Sequence, residues 1–573
     1  MRNAKYIISA ALAAALSLAN SSSADELNKQ ITLDKDVATA QRDVNRQSLS
    51  PVVALPEITP KNLAFSDRSL MAKFSSSIAR LDAATYANRL LDGHARGYVT
   101  AGYFPLFNAN LAAGYQFIDN SRTKFNAYFN YDGTDYDRDN LNVKRHHASV
   151  FAQASHRINP RLELFGNANA IFDTFNYPSV ANVDDQNARQ YVANVGVRSL
   201  ENDLRPFAYN VRFKYNGVNF TKPIPWPGND AKPIAENKFS LIGGVSARVD
   251  EHAMVGIDAK AVFTRYTGDE YSDDVIGHFA EITDKNRFKV LINPYVNYSK
   301  GNVSAHVGFE FKAALKPSAK IYFAPDVDLQ YRVTDGFGVS ARIGGGEIVN
   351  ALDRVLPIDI YASPNNVYAN GHSPLDALLS VNIGPFCGAS LSLFGGYTIA
   401  NDILTTSSDA FVIEAAGEAP EAFPIGVSRL RTIDMKGYRV GVSAAYRYGD
   451  LVEASASFQM APQRVDRGYY PWLDHARRVV EASVNVNPIE KLSVGAKYTL
   501  RTGRASYMTA LGNEYKVGLG NVNSLDLGAT YRLNDRLRFH ATVENITNRH
   551  WDILLGVPAP GITGLVGATY IFR

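Results

Sequence analysis

An alternation of apolar and polar residues runs through almost the whole of this 573-residue chain. Residues 525–533 read Leu-Asp-Leu-Gly-Ala-Thr-Tyr-Arg-Leu, and residues 303–312 read Val-Ser-Ala-His-Val-Gly-Phe-Glu-Phe-Lys. The side chains of a β-strand point alternately to the two faces of a sheet, so each such segment predicts a strand with one apolar and one polar side. The chain is therefore predicted to be an all-β protein.

The length of these segments favours a membrane barrel over a soluble β-sandwich, which also alternates. The segments are about 10–13 residues long, which suits a tilted membrane strand better than the soluble average of about 5–6. Tyrosines such as Tyr446, Tyr448, Tyr498 and Tyr531 lie near segment ends, as the aromatic girdles of membrane barrels require. The connections alternate between very short and long. The soluble all-β fold remains the alternative.

Counting the segments gives 22 predicted strands, an even number, as closed antiparallel bacterial barrels have. Their approximate ranges are 97–105, 108–118, 122–133, 145–157, 160–171, 190–200, 206–217, 237–249, 252–265, 287–298, 302–313, 320–333, 336–346, 376–384, 387–398, 437–448, 451–461, 476–486, 491–502, 522–533, 536–547 and 563–573. Residues 276–282 are assigned to a loop, because another strand there would break the alternation of short and long connections. The predicted fold is a 22-stranded antiparallel transmembrane β-barrel with short periplasmic turns and long extracellular loops.

The N-terminus is typical of an export signal. Arg2 and Lys5 precede an uncharged apolar run at 6–19, and small residues at 22–24 offer a cleavage site. An uncleaved anchor is the alternative, but the run is shorter than the roughly 20 residues that a spanning helix needs. We therefore expect a signal peptide at 1–24, a periplasmic or lumenal segment at 25–96, and a barrel at 97–573 in the outer membrane.

Composition excludes several other classes of protein. The chain has 59 Lys and Arg against 56 Asp and Glu, which excludes a dedicated electrostatic binder of nucleic acid. Its one cysteine, Cys387, forbids an intramolecular disulfide and a multi-thiolate zinc site. No nucleophile elbow, Walker loop, zinc ladder or dinucleotide fingerprint occurs in a fitting context. We predict no enzyme activity, no catalytic residue and no cofactor.

Two groups of residues are candidate metal ligands. Asp135, Asp137 and Asp139 lie at a spacing that calcium loops use, but the glycine and glutamate of an EF-hand do not follow. His146 and His147 are adjacent on a strand and so face opposite sides, and His156 lies near the same strand's end. We predict a solvated loop for the aspartates and no metal site in either group.

The C-terminal region resembles the end of a TonB-dependent receptor barrel. Residues 545–551 (Asn-Ile-Thr-Asn-Arg-His-Trp), a loop with proline and glycine at 556–561, and a closing strand carry this resemblance. Residues 96–103, 114–117 and 363–366 also match a group of plugless TonB-receptor-like barrels from Gram-negative bacteria. The resemblance implies an outer-membrane barrel that passes solutes or polymers, or that presents a surface.

The chain departs from that family where a plug should precede the barrel. Receptors of this kind place well over a hundred residues there, whereas only 25–96 are available here. Residues 30–37 read either as a short strand or as a TonB-contacting segment, and we do not expect the TonB contact. Residues 72–91 have a loosely helical spacing, which suggests a short periplasmic or lumenal helix.

The last strand carries a predicted assembly signal, Gly567, Tyr570 and Phe572, which resembles the C-terminal signal read by the outer-membrane insertion machinery. It departs from the usual signal at Val566, where a polar residue is common, and at Arg573, which follows the final aromatic residue. The alternative is a last strand whose aromatics simply alternate.

A barrel of this size has a lumen too wide for its own wall side chains to fill. Something must occlude it, and the candidates are residues 25–96, inward-folded loops at 347–375 and 399–436, or another chain. The lumenal wall charges, which we expect either to pair across strands or to hydrate the interior, are Arg439, Arg447, Glu453, Glu481, Lys497, Arg501, Arg532, Arg538 and Glu544.

Passage of a solute is the favoured function, with no assigned substrate-binding residue. A non-transporting accessory barrel of a larger outer-membrane complex, for protein insertion, secretion or surface assembly, is the alternative. The expected partners are outer-membrane lipid and other outer-membrane or periplasmic proteins.

Overall fold

The structure is a computed structural model. It describes residues 95–105, 107–178, 184–200, 207–222, 232–269, 271–273, 277–282, 285–316, 319–362, 366–367, 370–413, 421–461, 463–465, 476–510 and 513–572. The predicted signal peptide and residues 25–94, including the segments at 30–37 and 72–91, lie outside the described residues.

Twenty-two strands form one closed antiparallel barrel, which confirms the predicted fold class. They are β1 Gly97–Phe104, β2 Asn108–Asp119, β3 Thr123–Arg138, β4 Leu141–Asn159, β5 Leu162–Phe175, β6 Gln186–Ser199, β7 Phe207–Phe220, β8 Ala235–Arg248, β9 Ala253–Thr267, β10 Asn286–Lys300, β11 Val303–Lys316, β12 Lys320–Thr334, β13 Phe337–Ile348, β14 Gly371–Phe386, β15 Ala389–Ile413, β16 Glu421–Tyr448, β17 Val452–Met460, β18 Arg478–Ile489, β19 Leu492–Thr502, β20 Val522–Arg532, β21 Leu537–Glu544 and β22 Thr563–Phe572.

The barrel closes where its first strand meets its last. Gly97 of β1 lies opposite Phe572 of β22, and the register continues to Tyr103 opposite Val566. Every other strand pairs with the strand that follows it in sequence. Closure leaves the barrel no unpaired edge, so every backbone group in the wall has a neighbour with which to bond.

The alternation sorts side chains between the outside and the lumen. On β7, Phe207, Val211 and Phe213 are 44–51% exposed on the outer face, whereas the lumenal Asn216 is only 3% exposed. Two stacked sheets would have buried those large apolar side chains against each other, so the soluble sandwich is wrong. An apolar exterior with a polar interior is the pattern of a membrane-spanning barrel.

The two ends of the barrel differ in their connections. At the turn end, short turns join the strands, as between Asp119 and Thr123. At the loop end several connections are longer and carry short elements that are not among the 22 wall strands. These are the one-turn helix α1 (Leu352–Val355) and strands at Tyr271–Asp273, Gly277–Ile282, Asn366–Val367, Gln463–Val465, Ala505–Ala510, Asn513–Gly518, Asp552–Leu554 and Val557–Pro558. The exclusion of residues 276–282 from the barrel wall is thus confirmed.

Two predicted loops are instead extended hairpins. The expectation of a loop at 399–436 is wrong, because β15 and β16 stay paired from Ile403 opposite Ile433 to Ile413 opposite Glu421. The aspartate run is also not a loop, because β3 and β4 pair up to a tight turn at Asp139 and Asn140, which have φ values of +52° and +62°. Aspartate and asparagine tolerate this left-handed conformation, so they suit the turn.

No helix in the described part of the chain is both long enough and apolar enough to cross a membrane.

Candidate functional site in the barrel lumen

The chain between β13 and β14 turns into the lumen. Ile348 pairs with Gly371 across these two strands, so the wall is already complete and the intervening chain must leave it. Residues 348–362, which we call the inner segment, are buried almost throughout and contain helix α1. Burial of a whole connection requires that its polar groups find partners inside the barrel.

Asp353 of the inner segment supplies the main polar contact with the wall. Its Oδ1 accepts a hydrogen bond from Nζ of Lys238 at 2.6 Å, and its Oδ2 accepts one from the amide of Asn216. Lys238 and Asn216 point into the lumen, because their neighbours Phe239 and Tyr215 face outward. The inner segment, which belongs to one of the candidate occluding loops, thus contacts the lumenal wall.

A second carboxylate holds the start of α1. Oε2 of Glu236 accepts the backbone N–H of Leu352 at 2.9 Å, and Oε1 lies 3.8 Å from Nζ of Lys238. Burial by itself would raise the pKa of Asp353, but the charge of Lys238 and its hydrogen bond outweigh burial and hold that pKa below its ordinary value. Asp353 is therefore ionised at neutral pH, and we call its contacts with Lys238 and Asn216 the latch.

A second ionic group anchors both ends of the connection. Glu347, at the end of β13, accepts a hydrogen bond from Lys289 and lies 3.3 Å from Nζ of Lys312. The amide of Asn370, just before β14, donates to the same carboxylate at 2.9 Å. Lys312 also lies over the ring of Tyr322, 4.6 Å from its centroid. These contacts fix where the chain leaves the wall and where it rejoins it.

An apolar cluster packs the inner segment against the lumenal wall near the loop end. Leu352, Leu356, Ile360 and Tyr361 of the inner segment belong to one buried cluster with lumenal wall residues and with residues of the last loop. The wall contributes Val143, Phe175, Ala188, Val218, Phe220 and Tyr266, and the last loop contributes Leu554 and Val557. The inner segment is thus packed against this part of the wall and against the last loop.

Asn545 anchors the last loop, residues 545–561, which we call the closing segment. It is fully buried with φ +50°, its Oδ1 accepts the N–H of Arg549 at 3.0 Å, and its Nδ2 donates to the carbonyl of Pro560 at 3.1 Å. Its own N–H donates to Asp526 at 2.9 Å. This gives the Asn-Ile-Thr-Asn-Arg motif a structural role, because Asn545 closes the loop that carries Leu554 and Val557 into the cluster.

Ion pairs line the lumenal wall between strands, from Arg501 and Glu481 near the loop end to Arg447 and Glu453 at the turn end. Arg439 bonds Asp376, Arg447 bonds Glu453, and Arg501 bonds Glu481, each at 3.2 Å and each between strands. Cross-strand pairing of wall charges is thus confirmed for these residues. Of the other predicted wall charges, Lys497 lies opposite Asp526, Arg532 lies opposite Arg538, and Glu544 is buried at the loop end.

The structure does not bring the candidate metal ligands together into one site. Asp135 and Asp137 accept hydrogen bonds from the amide of Asn142 at 2.8 and 3.0 Å, while Asp139 lies 3.3 Å from His550. Within the described ranges, no group of three or more His, Cys, Asp or Glu side chains is placed to hold a metal ion.

The histidines near the aspartate run form separate contacts. His146 bonds Tyr131 at 2.9 Å and His147 bonds Asp173 at 2.9 Å on opposite faces of β4, while His156 bonds Thr123 at 2.8 Å. Each histidine thus has its own neighbour.

The predicted assembly residues lie on the last strand. Tyr570 and Phe572 point outward with ring centroids 5.1 Å apart, and each is about two-fifths exposed. Gly567 lies on the lumenal face opposite Gly102 and His540. Their role as an assembly signal stays a prediction.

The latch was missed by the sequence reasoning, although one signal of the packed lumen is present. On β7 the lumenal positions are polar at Lys214 and Asn216 but apolar at Val218 and Phe220. A lumenal face that turns apolar near a loop indicates that something apolar packs on it. No comparable signal pointed to Asp353 itself.

Several solved receptors and transporters are similar to this structure. A mutant of the ferric enterobactin receptor PfeA from Pseudomonas aeruginosa aligns with a TM-score of 0.60 at 12% identity, covering 83% of this chain and 80% of the receptor. The FrpB iron transporter from Neisseria meningitidis aligns with a TM-score of 0.63 at 11% identity, covering 85% and 83%. The copper transporter OprC aligns with a TM-score of 0.59 at 11% identity, covering 83% and 80%.

No family model and no curated protein matches the sequence. At such identities the structural likeness establishes the fold, a 22-stranded barrel like those of TonB-dependent receptors. The expected resemblance to that kind of barrel is confirmed at this level.

Proposed function

We propose that the chain is an outer-membrane barrel that mediates passage of a solute, and that it works without a conventional plug. The apolar exterior suits a bilayer and the polar wall of the lumen suits water. The similar solved proteins are receptors or transporters, one of them described as the ferripyoverdine receptor of the outer membrane of Pseudomonas aeruginosa. Residues 1–24 act as the export signal, residues 25–96 stay in the periplasm or lumen, and Gly567, Tyr570 and Phe572 guide assembly.

The docking of the inner segment supports this proposal most directly. A wide pore in the outer membrane has to be closed when no solute passes, and here part of the chain's own loop lies inside the lumen. It is held by the latch and by the apolar cluster, both of which can separate without breaking the wall. Release of the inner segment would open a path along the lumen. The proposal includes no catalytic step.

Single-channel conductance of the purified full chain in a planar bilayer tests the proposal. Because Ile348 and Gly371 are adjacent in the register, residues 350–362 can be replaced by a short Gly/Ser linker without stretching the wall. We expect low or transient conductance from the original chain and a stable, larger conductance from the variant. Heat-dependent migration on a denaturing gel, which reports barrel folding, is the control.

A correctly folded linker variant that does not conduct would contradict the proposal. If the original chain also copurifies with a stoichiometric outer-membrane or periplasmic protein, the accessory-subunit function would be the better explanation.

A further inference from the structure

Five amide side chains stand side by side across the lumenal face of β2 to β6. Gln116 lies opposite Asn126, and Asn126 in turn lies opposite Gln153. Gln153 lies opposite Asn167, which lies opposite Asn194. Neighbouring strands are about 4.8 Å apart, so this amide row is about 19 Å long.

Hydrogen-bonding groups of the amide row are unused within the protein. Asn126 is 9% exposed, and the buried Oδ1 atoms of Asn126 and Asn194 accept no hydrogen bond within the described part of the chain. The Oδ1 of Asn169, in the next row, is also buried without one. Buried polar groups in native proteins are nearly always satisfied, so these oxygens call for donors from water or a ligand.

An aromatic row runs beside the amide row, one step closer to the loop end. Tyr128 lies opposite Phe151 with ring centroids 6.0 Å apart. Tyr98 lies opposite Gly114, which in turn lies opposite Tyr128. A Cβ atom at Gly114 would come within 2.7 Å of the Tyr98 ring and 2.8 Å of the Tyr128 ring. The absence of a side chain at Gly114 therefore lets the rings form a continuous strip.

These two rows together match the chemistry of a sugar chain. Amides both donate and accept hydrogen bonds, as hydroxyl groups do, and aromatic faces pack against the C–H faces of sugar rings. Neither row contains a charged residue, although the amide row ends against Lys214 of β7. We infer that this wall binds uncharged linear oligosaccharides as they move along the lumen. The inference rests on the proposed function and adds its substrate class.

The two rows lie on the route that a solute would take from the latch toward the turn end. Asn169, next to Phe151, lies opposite Val192, which lies opposite the latch residue Asn216. The amide row lies one step further toward the turn end. A solute that passes the inner segment would meet the aromatic row first and the amide row next.

Isothermal titration calorimetry of the purified full chain in detergent tests the inference. The probes are maltohexaose, cellohexaose and xylohexaose, with hexagalacturonate as the charged counterpart. We expect at least one neutral hexasaccharide to bind more tightly than hexagalacturonate. The double variant Asn126→Ala/Asn194→Ala should weaken that binding at least tenfold, and Gly114→Ala should weaken it by disturbing the rings. Asn485→Ala, which removes a lumenal amide from β18, is the matched control and should leave binding unchanged.

Three results would overturn the inference: no binding of any neutral probe to the folded chain, tighter binding of hexagalacturonate, or unchanged binding in the double variant. Because calorimetry needs no transport, its outcome is separate from that of the conductance test. A folded linker variant that binds a hexasaccharide but does not conduct would contradict only the proposed function. A chain that conducts without binding would contradict only the inference.

Discussion

The two ends of the lumen use the same ion-pair chemistry in opposite surroundings. At the loop end, the side chains of Lys238 and Asp353 are 13% and 7% exposed. At the turn end, the side chains of Arg447 and Glu453 are 58% and 52% exposed. A buried pair whose one member is removed leaves an uncompensated charge, whereas an exposed pair exchanges its contact for water. The loop-end pair therefore acts as a latch, and the turn-end pair only lines a wet wall.

Removal of the latch carboxylate should have the largest effect. Asp353→Ala removes the buried carboxylate that faces Lys238. Removal of one member of a buried ion pair lowers the free energy of unfolding by about 3–5 kcal/mol. We expect the inner segment to undock, so hydrogen exchange of the backbone amides in α1 should become much faster. Hydrogen–deuterium exchange with mass spectrometry measures this, and amides in β18 serve as the internal control. Unchanged protection of α1 would show that the apolar cluster alone holds the segment.

Neighbouring positions on β18 test whether the turn-side lumen is wet. Val484 faces outward and is 38% exposed, while Ser483 faces the lumen opposite Ser455. An arginine on the lipid face near the membrane midplane costs about 2–4 kcal/mol. Val484→Arg should therefore lower the free energy of unfolding from lipid vesicles by that amount, and Ser483→Arg should change it much less. Equal losses of stability in the two variants would mean that Ser483 does not face a water-filled lumen.

Acid should weaken the latch, with a smaller effect than its removal. The pKa of Asp353 is depressed in the folded protein, so its stabilisation is present above the ordinary carboxyl pKa of about 3.9 and is lost as the pH falls through the lower folded value. We expect exchange in α1 to gain an extra increase below about pH 4, beyond the intrinsic pH dependence of amide exchange. The Asp353→Ala variant should lack that extra increase. An increase that is already present at pH 6 and persists in the Asp353→Ala variant would instead point to Glu236, which accepts the N–H of Leu352.

The strands were predictable because every second residue of a membrane strand faces lipid and must be apolar. The prediction of β7 stopped at residue 217, whereas the strand continues to Phe220. It stopped there because Val218 and Phe220 pack on the inner segment, so the lumenal face is no longer polar. Likewise, the extensions of β15 and β16 lie beyond the alternating region, and Ile403 and Leu404 are both buried. The alternation rule does not describe strands that leave the bilayer.

The latch was not predictable for a different reason. Asp353 and Lys238 are 115 positions apart in the chain, and no spacing rule relates a loop to a strand at that distance. Their meeting depends on how the strands close into a barrel and on which wall the inner segment reaches. The sequence indicated that something must occupy the lumen, and only the three-dimensional register identifies what does.

The exposed ion pair at the turn end should contribute least to stability, in contrast to the buried latch at the loop end. In a double-mutant cycle of Arg447→Gln and Glu453→Gln, we expect a coupling energy of about 0.2–1 kcal/mol, as for other exposed pairs. The coupling should decrease further between 0.1 and 1 M salt, because the Debye length falls from about 10 to about 3 Å. Folding into vesicles at both salt concentrations measures it. A larger coupling that salt leaves unchanged would place Arg447 and Glu453 in surroundings like those of the latch, and the distinction between the two ends of the lumen would fail.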